Sequence, residues 1–371
     1  MRLSPVLDSI GVYPFTRLEE AKRAAAARGV QLIDFGQGVP REPTPQFVRD
    51  AFSHSTPDVS TYPLSPGLPE FREAVAGWIS RRYGAQVDAD TDIVPTIGSK
   101  EPIFHLAQVV AGEAVAVTAP GYPVPERGAM FAGKDIVTLP IEAATGYLPD
   151  LDRVPWERLA ILWLNYPNNP TGAVVDLGYL EQAAALAREH DVVLACDEAY
   201  SEIWLEGDAP ASGLQLADRT NVIVFNTLSK RSSMPGYRIG FAAGDPDLVG
   251  ALNRFRPYAG VTPPAMVQRA AIAAYSDESH VEAMRAGYSA KRDLVLPALE
   301  HVGLTHVGGP ATFFLWMTTP IADEQQFAFD LVEKGIVCAP GSMFGPYGKG
   351  HLRVALVPTL ADCERAVQIL T

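Results

Sequence analysis

The stretch VVLACDEAY, residues 192–200, decides the fold class because it has the pattern of a buried strand that ends on a charge. Val192 to Cys196 are apolar and run directly into Asp197. Strands that are apolar on both faces are typical of parallel sheets covered by helices. Ligands of such sheets bind at the carboxyl ends of the strands, so we expect Asp197 to face a ligand. The alternative is that Asp197 only caps the segment that follows.

Similar apolar strands alternate with helical patterns on both sides of this stretch, which predicts an α/β fold with a mostly parallel sheet of the seven-stranded type. The pattern changes after residue 280, where a long helix and short strands predict a smaller α+β domain. We therefore predict a large domain of residues 41–280 and a small domain formed by 1–40 and 281–371. The other predicted strands are 92–98, 113–120, 134–140, 160–165, 222–226 and 239–244, and the predicted helices include 16–29, 70–84, 100–110, 177–190 and 280–302.

Composition excludes several classes of function. The 371 residues carry a net charge of −13, so we expect no nucleic-acid partner and no anionic membrane partner. Three cysteines without a CxxC motif indicate a reducing compartment, and the chain opens without a signal peptide, so we expect a cytoplasmic protein. No apolar run approaches the roughly 18 residues of a membrane span. The seven histidines form no close-spaced set, and no metal site is expected.

Polar residues follow the predicted strands where a ligand would bind. The GSK turn at 98–100 offers backbone N–H groups for a phosphate, which Arg238 is also placed to bind. Neither GxxxxGK[ST] nor GxGxxG occurs there. A phosphate site with an aspartate and a lysine indicates pyridoxal phosphate, which needs a lysine for its aldehyde and an acid for its ring nitrogen. The residues at the strand ends are Ser99, Lys100, Tyr122, Asn169, Asp197, Thr227 and Lys230.

Taken in order, these motifs resemble those of the fold-type I, class I and II aminotransferases, over essentially the whole chain. The motifs that carry the resemblance are GSK (98–100), NNPTG (168–172), DEAY (197–200), SK (229–230) and GYR (236–238). Four longer segments are most similar to the N-succinyldiaminopimelate aminotransferases of bacterial lysine biosynthesis. These segments are YPFTRLEEAK (13–22), CDEAYSEIW (196–204), LSKRSSMPGYRIGF (228–241) and DESHVEAMR (277–285).

The resemblance implies a role for each residue around the cofactor ring. Lys230 would bind the cofactor covalently and then move the substrate proton, and Asp197 would hold the protonated ring nitrogen. Tyr200 and Asn169 would donate hydrogen bonds to the ring oxygen, and Tyr122 would stack on the ring. On composition alone, NNPTG is also an ordinary turn and Tyr122 an ordinary turn residue.

The resemblance also implies the phosphate and substrate contacts. Tyr62 would reach the phosphate from the other subunit, so we expect a homodimer with shared active sites. Arg353 would bind the substrate α-carboxylate, although it is also compatible with an ordinary strand arginine, and Gly38 would allow close approach of the substrate. In aspartate aminotransferases of the animal and enterobacterial type, a second arginine from the partner subunit binds a distal carboxylate, and Arg17 and Arg256 are the candidates for it here. The implied phosphate ligands are Ser99, Lys100, Thr227, Arg238 and Tyr62, and the implied substrate ligands are Gly38, Asn169 and Arg353.

The expected reaction is a ping-pong transfer of an amino group between N-succinyl-LL-2,6-diaminopimelate and 2-oxoglutarate. Two alternatives keep the cofactor: an aminotransferase of broader specificity, for aspartate or other amino acids, and a C–S β-lyase. A third alternative is a non-catalytic effector-binding domain. Transcription factors that carry an aminotransferase-like domain of this kind also carry a fused helix-turn-helix. The chain begins almost directly at its YPF segment, and we expect no such domain.

Overall fold

The computed structural model describes residues 2–10, 16–59, 61–260 and 262–371. The YPF segment at 13–15 lies outside the described residues. Among the described residues, no helix has the length and apolar character needed to cross a bilayer. The helices are α1 (Pro5–Ile10), α2 (Thr16–Ala27), α3 (Gln46–His54), α4 (Pro69–Tyr83), α5 (Lys100–Val109), α6 (Val124–Phe131), α7 (Leu177–Glu189), α8 (Leu228–Arg231), α9 (Pro246–Ala259), α10 (Ala265–Tyr275), α11 (Ser279–His301), α12 (Glu324–Glu333) and α13 (Leu360–Leu370).

The strands form one large and two small sheets over the described residues. Residues 336–340 contain two short strands, which belong to different sheets. The strands are β1 (Ile33–Asp34), β2 (Ile93–Thr96), β3 (Ala114–Ala119), β4 (Asp135–Pro140), β5 (Leu159–Asn165), β6 (Val193–Asp197), β7 (Val222–Thr227), β8 (Gly240–Gly244), β9 (Thr305–His306), β10 (Phe314–Thr318), β11 (Ile336–Val337), β12 (Ala339–Pro340) and β13 (His351–Ala355).

The large sheet has seven strands in the order β2-β8-β7-β6-β5-β3-β4. Its strands run parallel except β8, which is antiparallel to both neighbours. The predicted α/β class with a mostly parallel seven-stranded sheet is confirmed. Strand β6 lies at the centre and every one of its residues is buried. This position explains why Val192 to Cys196 are apolar and why the carboxylate of Asp197, which follows them, is removed from solvent.

The N-terminal and C-terminal parts of the chain pack together beside this sheet. Strand β1 pairs in parallel with β11, joining Ile33 to Ile336. Helix α2 buries Leu18 and Ala25 against Val332 and Val337, which fixes one face of the helix. The opposite face of α2 therefore points away from this contact, toward the carboxyl ends of the large sheet. The domain limits at residues 40 and 280 stay a prediction.

Candidate active site

A cavity of about 820 Å³ lies at the carboxyl ends of the central strands. Every residue predicted to bind the cofactor or the substrate α-carboxylate, except Tyr62, lines it. The residues come from the ends of β2, β3, β5, β6 and β7, from the loop after β1, and from β13. Those on the wall are Gly38, Ser99, Lys100, Tyr122, Asn169, Asp197, Tyr200, Thr227, Lys230, Arg238 and Arg353.

Asp197 is held at the end of β6 by backbone contacts. Its side chain is only 3% exposed. The N–H of Ala199 donates to Oδ1 at 3.2 Å, and Asn165 donates from Nδ2 to the Asp197 carbonyl at 2.9 Å. Burial raises the pKa of Asp197 to about 7, against the opposing effects of the Ala199 N–H and Lys230. A buried carboxylate with this little compensation favours a cationic or N–H partner in the cavity.

Lys230 enters the cavity from α8, a single turn capped by Thr227. Its Nζ donates to the carbonyl of Gly38 at 2.5 Å and lies 5.8 Å from the ring centre of Tyr200. Burial lowers the pKa of Lys230 to about 8, and Arg353 and Arg238 act in the same direction. A substantial neutral fraction near pH 8 gives the amine the nucleophilic and basic character that covalent catalysis requires.

One end of the cavity is built to bind a phosphate. Helix α5 begins at Lys100 with Ser99 as its N-cap, which directs backbone N–H groups and the positive end of the helix dipole at the cavity. Arg238 donates from Nη1 to Ser229 Oγ at 3.3 Å and from Nη2 to the Ile97 carbonyl at 3.3 Å. A Cβ at Gly98 would lie 2.5 Å from Arg238 Nη2, so only glycine allows this approach. Ser229 is a polar wall residue that sequence reasoning missed.

Glu101 holds this phosphate turn from behind. Its Oε2 accepts from the Ile97 N–H at 3.2 Å, and its Oε1 lies 3.0 Å from His105 Nδ1 and 3.3 Å from Arg256 Nε. Arg256 is fully buried and does not line the cavity. The expectation that Arg256 binds a distal carboxylate is therefore wrong, because its charge is already paired inside the protein.

Arg353 projects from β13 into the opposite end of the cavity and is 5% exposed. Its Nη1 donates to Asn169 Oδ1 at 2.8 Å, and its Nη2 donates to the carbonyl of Gly36 at 2.8 Å. The guanidinium lies 4.1 Å from the ring centre of Phe314. These contacts fix the planar group, which suits two-point binding of a carboxylate.

Gly38 and Tyr200 shape the middle of the cavity. A Cβ at Gly38 would lie 2.6 Å from Phe314 Cζ, so a side chain there would displace the aromatic wall. Tyr200 is 7% exposed, and burial raises its pKa, so it stays a neutral donor. Tyr122 lines the same wall and is half-buried.

Tyr62 lies outside the cavity. Its side chain is 97% exposed and makes no contribution to the wall in a single subunit. Arg17, the other candidate for a distal carboxylate, is also exposed and outside the cavity. Its helix α2 instead contributes Glu19 and Arg23, two residues that sequence reasoning missed. The sequence showed only that Glu19 and Arg23 are four residues apart on a predicted helix. It did not show which face of that helix meets the cavity.

The residues of the cavity fit pyridoxal phosphate. The α5 N-terminus and Arg238 would hold its phosphate, Asp197 would hold its ring N–H, and Lys230 would hold its aldehyde carbon. A protonated ring nitrogen is the partner that the buried Asp197 lacks among the described residues. The chemistry that this cofactor supplies when bound is an electron sink for the bonds at the substrate α-carbon.

Comparison with known proteins identifies the family. The family model described as "Aminotransferase class I and II" matches residues 30–370 of this chain. An LL-diaminopimelate aminotransferase 2 from a Nostoc species is 36% identical over 99% of this chain and 97% of its own length. The crystal structure of an aminotransferase from Neisseria meningitidis has a TM-score of 0.92, with 34% identity and 99% coverage of both chains.

A third similarity is to a probable N-succinyldiaminopimelate aminotransferase from Thermus thermophilus. Its structure has a TM-score of 0.89 and 33% identity, and covers 96% of this chain and 98% of its own. The aminotransferases of this family use pyridoxal phosphate to move amino groups between amino acids and 2-oxo acids. This chain belongs to the class I and II aminotransferases and is a pyridoxal phosphate-dependent enzyme.

Proposed function

We propose that the enzyme transfers the amino group of a 2,6-diaminopimelate donor to 2-oxoglutarate in lysine biosynthesis, in a ping-pong cycle. The observation that carries this proposal is the convergence of Lys230, Asp197 and Arg353 on one cavity. An amine of lowered pKa, a buried carboxylate and a fixed guanidinium are the groups that an α-amino acid substrate requires.

Each residue has a distinct task in this proposal. Arg353 and Asn169 bind and orient the α-carboxylate of the substrate. The carbonyl of Gly38 positions Nζ of Lys230, which accepts the proton from the substrate α-carbon and would deliver it to the cofactor carbon that takes up the amino group. Asp197 stabilises positive charge at the inner end of the cavity. The aromatic wall at Tyr200 and Phe314 excludes water from the site of proton transfer.

Two donors fit this proposal. The N-succinyl form of LL-diaminopimelate is the donor expected from the sequence segments, and the Thermus structure carries that name. Free LL-diaminopimelate is the second candidate, which the names of the curated relatives favour at 36% and 38% identity. The purified enzyme should be assayed with both donors and 2-oxoglutarate, with glutamate measured as the product. A higher rate with aspartate than with either diaminopimelate donor would contradict the proposed donor and indicate broader specificity. Release of pyruvate from cystathionine without any oxo acid would indicate a β-lyase.

We also propose that the enzyme is a homodimer in which Tyr62 completes the phosphate site of the partner. Val59, Tyr62 and Leu64 are 76%, 97% and 77% exposed, which is unusual for large side chains near one another in sequence, and Tyr258 is 93% exposed. Ser65 Oγ donates to Asn253 Oδ1 at 2.6 Å and ties the 61–65 segment to α9, the helix of Tyr258.

The shared site is tested directly by mixing two variants, each of which lacks one residue of the site. Tyr62→Ala and Lys230→Ala subunits should complement when mixed under exchange, because a hybrid dimer holds one site with both native residues. Random exchange makes about half the dimers hybrid, so about a quarter of wild-type activity should return if Tyr62→Ala alone is inactive. Subunits that exchange without any recovery would count against the shared site.

A further inference from the structure

The cavity contains a second charged group that the proposed reaction does not use. Glu19 and Arg23, from α2, line the same cavity as Lys230 and Arg353. We propose that these two residues form a subsite for the distal amino-acid group of the donor, in which Arg23 binds its carboxylate and Glu19 its ammonium. This inference rests on the proposed function, because it takes a diaminopimelate as the donor.

The geometry of α2 keeps the two charges apart and available. Glu19 and Arg23 are four residues apart and share one face of the helix, an arrangement that commonly gives a direct ion pair. Here Arg23 instead donates from Nε to the backbone carbonyl of Glu19 at 3.3 Å. In the part of the chain that the structure describes, no carboxylate lies within ion-pair distance of the Arg23 guanidinium. A cation at the wall of a substrate cavity without a protein counterion favours a substrate carboxylate.

Glu19 is held in place by neighbours that use only one of its oxygens. Its Oε1 accepts from Lys22 Nζ at 2.6 Å and from Gln37 Nε2 at 3.3 Å. Lys22 is anchored in turn by Asp34, at 2.7 Å, and does not line the cavity. A carboxylate has about four lone-pair sites, so Glu19 keeps capacity for an ammonium group while its position is fixed.

The two ends of diaminopimelate match the two ends of the cavity. Each end of the molecule carries an ammonium and a carboxylate on one carbon. One end binds at Arg353, next to Lys230, and the other extends toward α2, where charges of both signs face the cavity. Succinylation of the distal amine replaces its positive charge with a neutral amide and adds a carboxylate, so Glu19 loses its cationic partner. The subsite therefore favours the free over the N-succinylated donor.

The subsite is tested with matched variants on α2. Glu19→Gln and Arg23→Gln are compared with Glu20→Gln and Arg28→Gln, exposed residues on or directly after the same helix and outside the cavity. The donors are LL-diaminopimelate, its N-succinyl derivative and L-2-aminopimelate, which has the distal carboxylate without the distal amine. Single-turnover consumption of each donor is followed by the absorbance of the bound cofactor. L-Alanine, which cannot reach α2, is the reference donor for the common machinery.

The expected pattern separates the two residues. Arg23→Gln should lower kcat/KM about tenfold or more for diaminopimelate and for 2-aminopimelate, the size expected for one lost charge-assisted contact. Glu19→Gln should lower it by a similar factor for diaminopimelate and leave N-succinyldiaminopimelate and 2-aminopimelate within about twofold. The control variants should leave all donors within about twofold.

Three results would overturn the subsite. They are losses no larger than those of the control variants, equal losses for every donor including alanine, and a loss from Glu19→Gln that is as large for N-succinyldiaminopimelate as for the free donor. Failure of the proposed function gives a different result, because the wild-type enzyme would then turn over neither LL-diaminopimelate nor its N-succinyl derivative. In that case the response of 2-aminopimelate to Arg23→Gln still decides whether Arg23 binds a distal carboxylate.

Discussion

The inner and outer walls of the cavity are built in different ways. The inner wall, formed by Asp197, Asn169, Thr227 and Lys230, follows directly from the ends of buried strands. The outer wall includes Glu19 and Arg23 of α2, of which Glu19 is half-buried and Arg23 is exposed. The rigid centre of the sheet therefore carries the chemistry common to the family, whereas peripheral segments are placed to determine which substrate enters.

The largest effect should come from the inner wall. Asp197→Ala should leave the fold and the phosphate contacts in place and lower kcat on the order of a thousandfold, because the ring nitrogen loses the carboxylate that would keep it protonated. Steady-state kinetics at saturating cofactor would measure this. Glu198→Gln, at the neighbouring buried carboxylate, is the control and should retain most activity. Retention of most activity by Asp197→Ala would show that this residue is only a structural cap.

The substrate end of the inner wall should show a smaller but uniform effect. Arg353→Lys keeps the charge but loses the planar pair of donors that bind Asn169 and a carboxylate. We expect a loss of about 2 kcal/mol in kcat/KM, roughly thirtyfold, for every donor alike. A loss confined to long donors would mean that Arg353 binds the distal end of the substrate and not its α-carboxylate.

Lys230 should give the inner wall a measurable pH dependence. Because burial lowers its pKa to about 8, the neutral amine increases as pH rises through that value. Covalent loading of cofactor onto cofactor-free protein should therefore be about tenfold faster at pH 9 than at pH 7, from the change in neutral fraction. Stopped-flow absorbance would measure the rate. A rate that keeps rising tenfold per pH unit up to pH 10 would mean that Lys230 is not desolvated.

The smallest effect should come from the outer surface. Tyr62→Phe removes one hydroxyl and should weaken cofactor binding about fivefold in the dimer, as for one hydrogen bond of about 1 kcal/mol. Tyr258→Phe is the matched control, since its side chain is similarly exposed. Equilibrium dialysis of the cofactor distinguishes them. Equal affinities for wild type and Tyr62→Phe would remove Tyr62 from the phosphate site.

The same division explains what the sequence could predict. Asp197, Asn169 and Thr227 were predictable because each directly ends or follows a strand, and parallel strands bring their carboxyl ends together. Arg353 lies far along the chain and was identified through family resemblance, since on pattern alone it is compatible with an ordinary strand arginine.

The outer wall was predicted poorly for physical reasons. Arg17 was named as a candidate and Arg23 was missed, because the face of α2 that meets the cavity depends on the pairing of β1 with β11, which are about 300 residues apart. Arg256 was misassigned because its partner, Glu101, lies 155 residues earlier, and a buried ion pair leaves no periodic signal in sequence.

Borohydride reduction of the purified enzyme, followed by proteolysis and mass spectrometry, shows which lysine binds the cofactor in the cavity that ends at Asp197. We expect the cofactor mass on the peptide that contains Lys230, and no label on Lys230→Ala protein. A label on Lys100, the other lysine of the cavity wall, or on a lysine outside the cavity would mean that Lys230 does not hold the cofactor.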